Sequence, residues 1–566
     1  MVSASPASLV SYSILMRLSN SNTMNTIKFA TTDKVIYSYA VAALALPNVA
    51  LCFTEGMPLM ACLANVLLPM GVYMALMTLT AKVGKMVWWA FVLIFFAAFQ
   101  MVLLYLFGQG VIAVDMFLNL VTTNPGETME LLDNLVPAVL GVVVVYVPLL
   151  VLGVVSMHRA HGALAMALRR SYRRYAMMVT AGGLACLALA YATVGGYRLR
   201  DNLYPVNVLY NLVLAVQRNN ASANYHKASA NFKFNAHATH PADSTEVYVM
   251  VIGETARACN FGLYGYQRNT TPLLEKTPGV VSFTHAYTQS NTTHKSVPML
   301  LSAVSAVDFE QLFHEKGILA AFREAGFHTV FLSNQLPNHS FIDFLGQQAD
   351  EWQFVKERAG RGTNCYDGDL LPLLDKVLAK GRKREFIVLH TYGSHFNYRK
   401  RYPRQMAYYK PDDKSEAEAT NRRDLINAYD NTIRYTDWLL ASVARRLEHH
   451  AGRSAMLYTS DHGENIFDDS RELFLHASPK ASQYELHVPF IVWTSASYRQ
   501  AYPSTVRALG ANRNRQLQSS LSAFHTMLDM AGVETPKRKL RYSVANSAYA
   551  PMQRLYLNDH DEAVAY

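Results

Sequence analysis

The sequence predicts a bundle of five membrane-spanning helices followed by an α/β domain with a mostly parallel central sheet. Three observations predict it. Five apolar runs, each long enough to cross a bilayer, lie within the first 200 residues. Beyond them, short apolar runs alternate with helical stretches, the pattern of a parallel sheet covered by helices. Acidic and histidine residues cluster at or just past the ends of several of those short runs, where ligands collect in open α/β sheets. A chain of 566 residues is also too long for one core, so at least two domains are expected. These are residues 1–31 as an N-terminal cytoplasmic segment, 32–200 as the membrane domain, 201–243 as a linker or bridging helix, and 244–566 as the α/β domain.

The five runs are Val35–Phe53, Pro58–Thr80, Met86–Phe107, Val136–Val155 and Ala176–Val194. Loop charges orient them. Arg17, Lys28 and Lys34 precede the first run, Lys82 and Lys85 lie between the second and third, and Arg159 with Arg169-Arg170-Ser171-Tyr172-Arg173-Arg174 between the fourth and fifth. The loop Gly108–Leu135 has neither Lys nor Arg. Basic loops stay in the cytoplasm, so everything after about Gly195 lies on the far side, and the first span can itself insert the chain. The net charge of +10 raises nucleic acid as a partner, but the densest basic cluster, Arg169–Arg174, lies between two spans, where it holds a loop in the cytoplasm, and no nucleic-acid partner is expected.

In the Gly108–Leu135 loop, Met, Phe and Leu stand beside Asn119, Thr123, Asn124 and Glu127, which suits an amphipathic piece at the membrane surface able to meet a lipid head group. Residues 201–243 are polar, with weak periodicity.

The second domain opens with Val247-Tyr248-Val249-Met250-Val251-Ile252, a continuous apolar run typical of a buried parallel strand, followed by Gly253-Glu254-Thr255. Further strands are expected at His328–Leu332, Phe386–Leu389, around Leu457-Tyr458, and at Val488–Trp493. Helices are expected at Gly317–Ala325, Leu370–Ala379 and Ala428–Glu448. Glu254, His390, His395, Asp461 and His462 then all fall at or past strand ends. Carboxylate oxygens and an imidazole nitrogen suit one zinc ion. The missing part is a hydroxyl nucleophile. Thr292 or Thr293 supplies it at the start of a helix, where backbone N–H groups face an anion. Zinc beside that hydroxyl makes it a nucleophile near neutral pH.

Several longer motifs stand in order: Gly253-Glu254-Thr255-Ala256-Arg257, Leu263-Tyr264-Gly265-Tyr266-Gln267-Arg268-Asn269-Thr270-Thr271-Pro272, Leu389-His390-Thr391-Tyr392-Gly393-Ser394-His395, Tyr429-Asp430-Asn431-Thr432-Ile433, Ser460-Asp461-His462-Gly463-Glu464 and Phe474-Leu475-His476. With the five spans, they resemble the membrane phosphoethanolamine transferases of the alkaline phosphatase and sulfatase superfamily. The resemblance implies that Glu254, the nucleophilic threonine, Asp461 and His462 ligate zinc. It implies that His390, His395 and His476 hold the phosphoryl group, assist the leaving oxygen or bind a second zinc. Asn119, Thr123, Asn124 and Glu127 match the lipid head-group region loosely. The implied reaction moves phosphoethanolamine from phosphatidylethanolamine to a lipopolysaccharide core, lipid A or other envelope glycan, through a threonine-bound intermediate, at a bacterial inner membrane with the catalytic domain in the periplasm.

Two departures matter. Relatives often carry Cys-Gly-Thr before Ser-Val-Pro, where this chain has Asn291-Thr292-Thr293. Counting back from Leu301-Ser302 favours Thr293; reading Thr-Thr as the relatives' Thr-Ser favours Thr292. Thr293 is the expectation adopted. No Cys-x-Pro-x-Arg setting for a formylglycine nucleophile is present, which argues against sulfate-ester chemistry. The chain has five cysteines, three of them in spans, so one disulfide at most, Cys259–Cys365, is open to the second domain. That scarcity resembles the branch acting on lipopolysaccharide core sugars more than the lipid A branch. His487 reads as structural. A phosphatase or phosphodiesterase, a glycerol-phosphate transferase and an inactive scaffold are the rival readings.

Overall fold

The computed structural model describes residues 32–566, apart from 123–124, 338–339, 359–363, 415, 417, 451, 479 and 559; residues 119–135 are described by backbone alone. The chain divides into two compact units. One comprises residues up to Ile112 together with Leu135–Tyr210, the other Ala113–Asn134 together with Asn211–Tyr566.

The first unit is helical: α1 (Asp33–Thr54), α2 (Leu59–Met77), α3 (Val83–Trp89), α4 (Phe91–Phe107), most of α6 (Pro125–His158) and α7 (Met166–Thr193). Among the described residues, four helices are long and apolar enough to cross a membrane. A fifth crossing arises if α3 and α4, bent by 65° at Ala90, count as one broken span. A Cβ on Gly183 would come within 2.5 Å of the Leu68 backbone, and one on Gly71 within 2.3 Å of Thr180 Oγ1. Helices α2 and α7 therefore pack backbone to backbone, as small residues permit in a membrane.

The second unit contains α5 (Val114–Thr122), most of α8 (Val206–Ala228) and the α/β domain. Its central sheet has seven strands: β1 (Glu246–Gly253), β2 (Val280–Ser282), β3 (His328–Ser333), β4 (Glu351–Phe354), β5 (Arg384–His390), β6 (Arg453–Ser460) and β7 (Phe490–Thr494). Their spatial order is β2-β7-β6-β1-β5-β3-β4. Strands β6, β1, β5, β3 and β4 are parallel. The fifth expected strand, β7, runs antiparallel to β6, and β2 antiparallel to β7, so the sheet is mixed. Strand β7 begins after Pro489, because proline has no N–H to give a ladder.

All eight residues of β1 are buried. Tyr248, Met250 and Ile252 join the core on one face, and Val247, Val249 and Val251 the core on the other, as alternation along a strand requires. Helices cover both faces, among them α9 (Thr293–Leu300), α10 (Ile318–Glu324), α11 (Leu371–Leu378), α12 (Arg422–His449) and α13 (Ser519–Met530). Register sets the site. Ile252 pairs with His390, Gly253 with Ser460, and Ser333 with His390, so the four neighbouring parallel strands β6, β1, β5 and β3 end at one level.

Candidate active site

At that level β1 hands over to Glu254, and β6 to Asp461 and His462. All three are buried. Thr293 reaches them from the first turn of α9. Its Oγ1 donates to Glu254 Oε1 at 3.0 Å and lies 3.0 Å from His462 Nε2. His462 Nε2 is 3.5 Å from Glu254 Oε1 and 3.2 Å from Asp461 Oδ2.

The surrounding bonds aim each group. Asp461 Oδ1 accepts the backbone N–H of Thr255 at 3.0 Å and of His462 at 2.7 Å, which leaves Oδ2 for the cluster. His462 Nδ1 donates to the Gly463 carbonyl at 2.9 Å, which fixes the tautomer and leaves the Nε2 lone pair inward. Gln335 Nε2 donates to Glu254 Oε2 at 3.1 Å and to the Thr391 carbonyl at 2.9 Å. Thr255 holds φ at +61°, a strained backbone for a β-branched residue, and its hydroxyl donates to Glu254 Oε1 at 2.8 Å. Gly393 has φ +49°, and a Cβ there would meet the Glu254 carbonyl at 2.5 Å, so the loop after β5 can close on Glu254 only with glycine.

Electrostatics show what such a cluster suits. Burial, then the neighbouring Asp461 charge, pushes Glu254 up to about 7, and burial pushes Asp461 up to about 6. Burial and the nearby His476 hold His462 down at about 3. Three lone-pair donors thus converge on one hydroxyl with a single proton to share. Their ligand atoms lie within 4.8 Å of one another, so two carboxylates, an imidazole and the threonine oxygen match the O/N donor set and count of a four-coordinate dication.

His476 lies beside the cluster, its ring 4.2 Å from that of His462 and 5.9 Å from that of His395. Burial alone would lower its pKa, but Glu464, 3.4 Å from its Nδ1, outweighs that with help from Glu254 and Asp461 and raises it to about 9. Glu464 is itself fixed by the Tyr398 hydroxyl at 2.8 Å. His395 is the opposite case. Burial and the Arg401 and His476 charges hold it well below the usual histidine range, and its ring stacks on Tyr392 at 5.2 Å. Thr293, His395 and His476 are only partly covered, so the cluster opens on their side.

The other expected residues fall elsewhere. Thr292 is the N-cap residue of α9, and its hydroxyl turns to Ser290 Oγ at 3.1 Å and Asp115 at 3.3 Å, away from the carboxylate–histidine cluster. His390 is buried, bonds Ser333 Oγ through Nδ1 at 3.1 Å, and has no hydrogen-bond partner at Nε2 among the described residues. Asn119 lies in α5 and Glu127 in α6, described by backbone alone, while Thr123 and Asn124 lie outside the described residues. His487 Nε2 is 2.9 Å from the Thr284 carbonyl and its ring stacks on Tyr287. All five cysteines are free, Cys259 and Cys365 included. Sequence reading passed over Gln335, Thr255, Glu464 and Asp115. Thr255, Gln335 and Glu464 follow the ends of expected strands and were open to the same logic as Glu254; Asp115 carries no such signal.

The Sulfatase family model matches residues 246–533 of the 566. The chain belongs to the sulfatase family. Among curated members, phosphoethanolamine transferase EptA of Salmonella typhimurium is 30% identical over 321 residues, 55% of this chain and 57% of that protein. The chain spans about half the length of the curated relatives it matches. Among solved structures, the integral membrane lipooligosaccharide phosphoethanolamine transferase A of Neisseria meningitidis superposes with a TM-score of 0.72 at 22% identity, covering 90% of this chain and 97% of that one. The periplasmic domain of EptC from Escherichia coli, solved in complex with Zn, superposes with a TM-score of 0.52 at 22% identity over 58% of this chain and 95% of that one. Both show that this sulfatase-family chain shares their fold.

Proposed function

We propose that this protein transfers phosphoethanolamine from phosphatidylethanolamine to lipopolysaccharide or another envelope glycan, at the inner membrane with its site facing the periplasm. The observation that carries the reading is the Thr293 hydroxyl at a helix start, 3.0 Å from both Glu254 and His462. The named activities of the relatives support the transferred group and the class of acceptor. The zinc complex of the EptC domain supports zinc as the metal, held by Glu254, Asp461, His462 and Thr293. Bound there, zinc lowers the pKa of a neighbouring hydroxyl and offsets charge on phosphoryl oxygens.

The chain's own residues account for the rest. Thr293 Oγ1, its proton released to solvent, attacks phosphorus as the bond to the diacylglycerol oxygen breaks, and His476, protonated at neutral pH, gives that oxygen its proton. In the second step an acceptor oxygen attacks, neutral His395 takes the acceptor's proton, and the Thr293 ester bond breaks to the same deprotonated oxygen; the proton on His395 then returns to His476, whose ring lies 5.9 Å away, so that both histidines are reset. Opposite shifts on two adjoining histidines are what an acid and a base require. The backbone N–H groups that open α9 face the phosphoryl oxygens, and Asn119, Thr123, Asn124 and Glu127 are the candidates for head-group contact. His390, whose Nε2 has no hydrogen-bond partner among the described residues, is the further candidate for a second zinc or the phosphoryl group.

The test is intact-mass analysis of the full-length protein incubated with phosphatidylethanolamine, then with lipopolysaccharide. A phosphoethanolamine adduct that disappears as the lipopolysaccharide gains the same mass supports the transferase. Free phosphoethanolamine with unmodified lipopolysaccharide identifies a hydrolase instead. His476→Gln is expected to slow adduct formation by about 10²-fold or more while zinc content stays unchanged.

A further inference from the structure

Behind Thr293, on the far side of α9, lies a buried knot of charge that the mechanism does not use. Lys295 sits between two carboxylates, its Nζ 2.9 Å from Asp115 Oδ1 and paired also with Asp561. Asp115 belongs to α5 and Asp561 to the turn of the hairpin Leu555–Leu557/Ala563–Ala565. Arg218 of α8 closes the far end, 3.0 Å from Asp561 Oδ2, with its guanidinium over the rings of Phe309 and Phe313. Asp115, Lys295 and Arg218 are all buried.

Asp115 does more than balance Lys295. Its Oδ2 accepts from the Thr292 hydroxyl at 3.3 Å, and its Oδ1 makes an ion-pair contact with His294 Nε2 at 2.8 Å. It therefore grips residues 292, 294 and 295 and leaves Thr293 ungripped. Successive helical residues turn by about 100°, so those three share one side of the first turn and Thr293 points from the other, toward Glu254 and His462. A rotation of α9 about its axis would move the Thr293 hydroxyl and break all three contacts together.

We propose that Asp115 is a positioning residue for the Thr293 nucleophile, holding the first turn of α9 from behind. Asn119, a head-group candidate, is four residues further along the same helix, so α5 joins the region expected to meet the donor lipid to the turn that carries the nucleophile. This rests on the transferase reading. Asp561 touches the same lysine but neither Thr292 nor His294, and so makes the natural control.

The test measures single-turnover adduct formation against phosphatidylethanolamine concentration, with the full-length protein in detergent. It is paired with hydrogen-exchange mass spectrometry of residues 291–297, zinc content and melting temperature. Asp115→Asn is expected to slow adduct formation about tenfold or more at saturating donor, with unchanged half-saturation and zinc content, and to speed exchange in 291–297. Asp561→Asn, which strands the same lysine, is expected to stay within about threefold of wild type on both. Thr292→Val, which deletes only the hydroxyl that Asp115 accepts from, is expected to slow the step severalfold and decides the matter if Asp115→Asn does not fold. Wild-type rates in Asp115→Asn and Thr292→Val overturn the proposal. So does equal slowing in Asp115→Asn and Asp561→Asn accompanied by lost zinc or a lowered melting temperature, which reduces the knot to scaffolding. Absence of any adduct on wild-type protein sinks the transferase reading instead, and the exchange comparison still judges Asp115 by itself.

Discussion

Thr293→Ala is expected to form no phosphoethanolamine adduct and to lose transfer by a factor on the order of 10⁴ or more, the scale of removing a nucleophile outright. The reason is geometric. Thr293 Oγ1 is the hydroxyl that meets Glu254 Oε1 and His462 Nε2, each at 3.0 Å. Alanine leaves the three protein ligands in place, so zinc should remain bound while the covalent step disappears. Thr292→Ala gives the contrast. Its hydroxyl faces Ser290 and Asp115, so the variant should still acquire the adduct, about tenfold slower at most. Thr293→Ser should retain the adduct but form it more slowly, because serine lacks the β-methyl that restricts χ1 and aims the oxygen. Intact mass separates the three. An adduct on Thr293→Ala but not on Thr292→Ala would move the nucleophile by one residue and leave the rest of the site standing.

The choice between Thr292 and Thr293 shows where sequence reading stops. Spacing from flanking motifs supported either residue, yet one step along a helix turns a side chain by about 100°, and only the placement of α9 decides which hydroxyl faces Glu254. Strand ends were easier. A continuous run such as Val247–Ile252 has one favourable fate, burial on both faces, so Glu254 was legible as a residue at the lip of a sheet. Direction was not. An apolar run reads alike parallel or antiparallel, and β7 turned out to oppose β6. Strands β2 and β4, of three and four residues, carry too little pattern to stand out. The Asp115–Lys295 pair was out of reach for another reason. Its partners are 180 residues apart, and neither names the other: Asp115 is a lone charge in an apolar stretch and Lys295 an ordinary charge in a polar one.

Zinc affinity is expected to depend on pH in two stages, and the sign follows from the shifts. Glu254 is raised to about 7 and Asp461 to about 6, and each must be deprotonated to ligate. Above about 7 both are ionised and affinity is flat. As pH falls below 7 a proton competes at Glu254, and the apparent affinity drops about tenfold per unit; below 6 Asp461 adds a second proton, and the slope approaches a hundredfold per unit. His462, held near 3, stays neutral and ready throughout that window. Competition with a chromophoric chelator between pH 5 and 8 measures this directly. Asp461→Asn should weaken zinc by at least about 10²-fold. It also removes the like charge beside Glu254, so the remaining pH dependence should slide toward the ordinary carboxylate range. Stripping the metal should silence adduct formation by about 10³-fold, and returning zinc should restore it. An affinity that does not change from pH 8 to pH 5 would mean that the two buried carboxylates are not the ligands. Their raised pKa values would then need another cause than a site shaped for a cation.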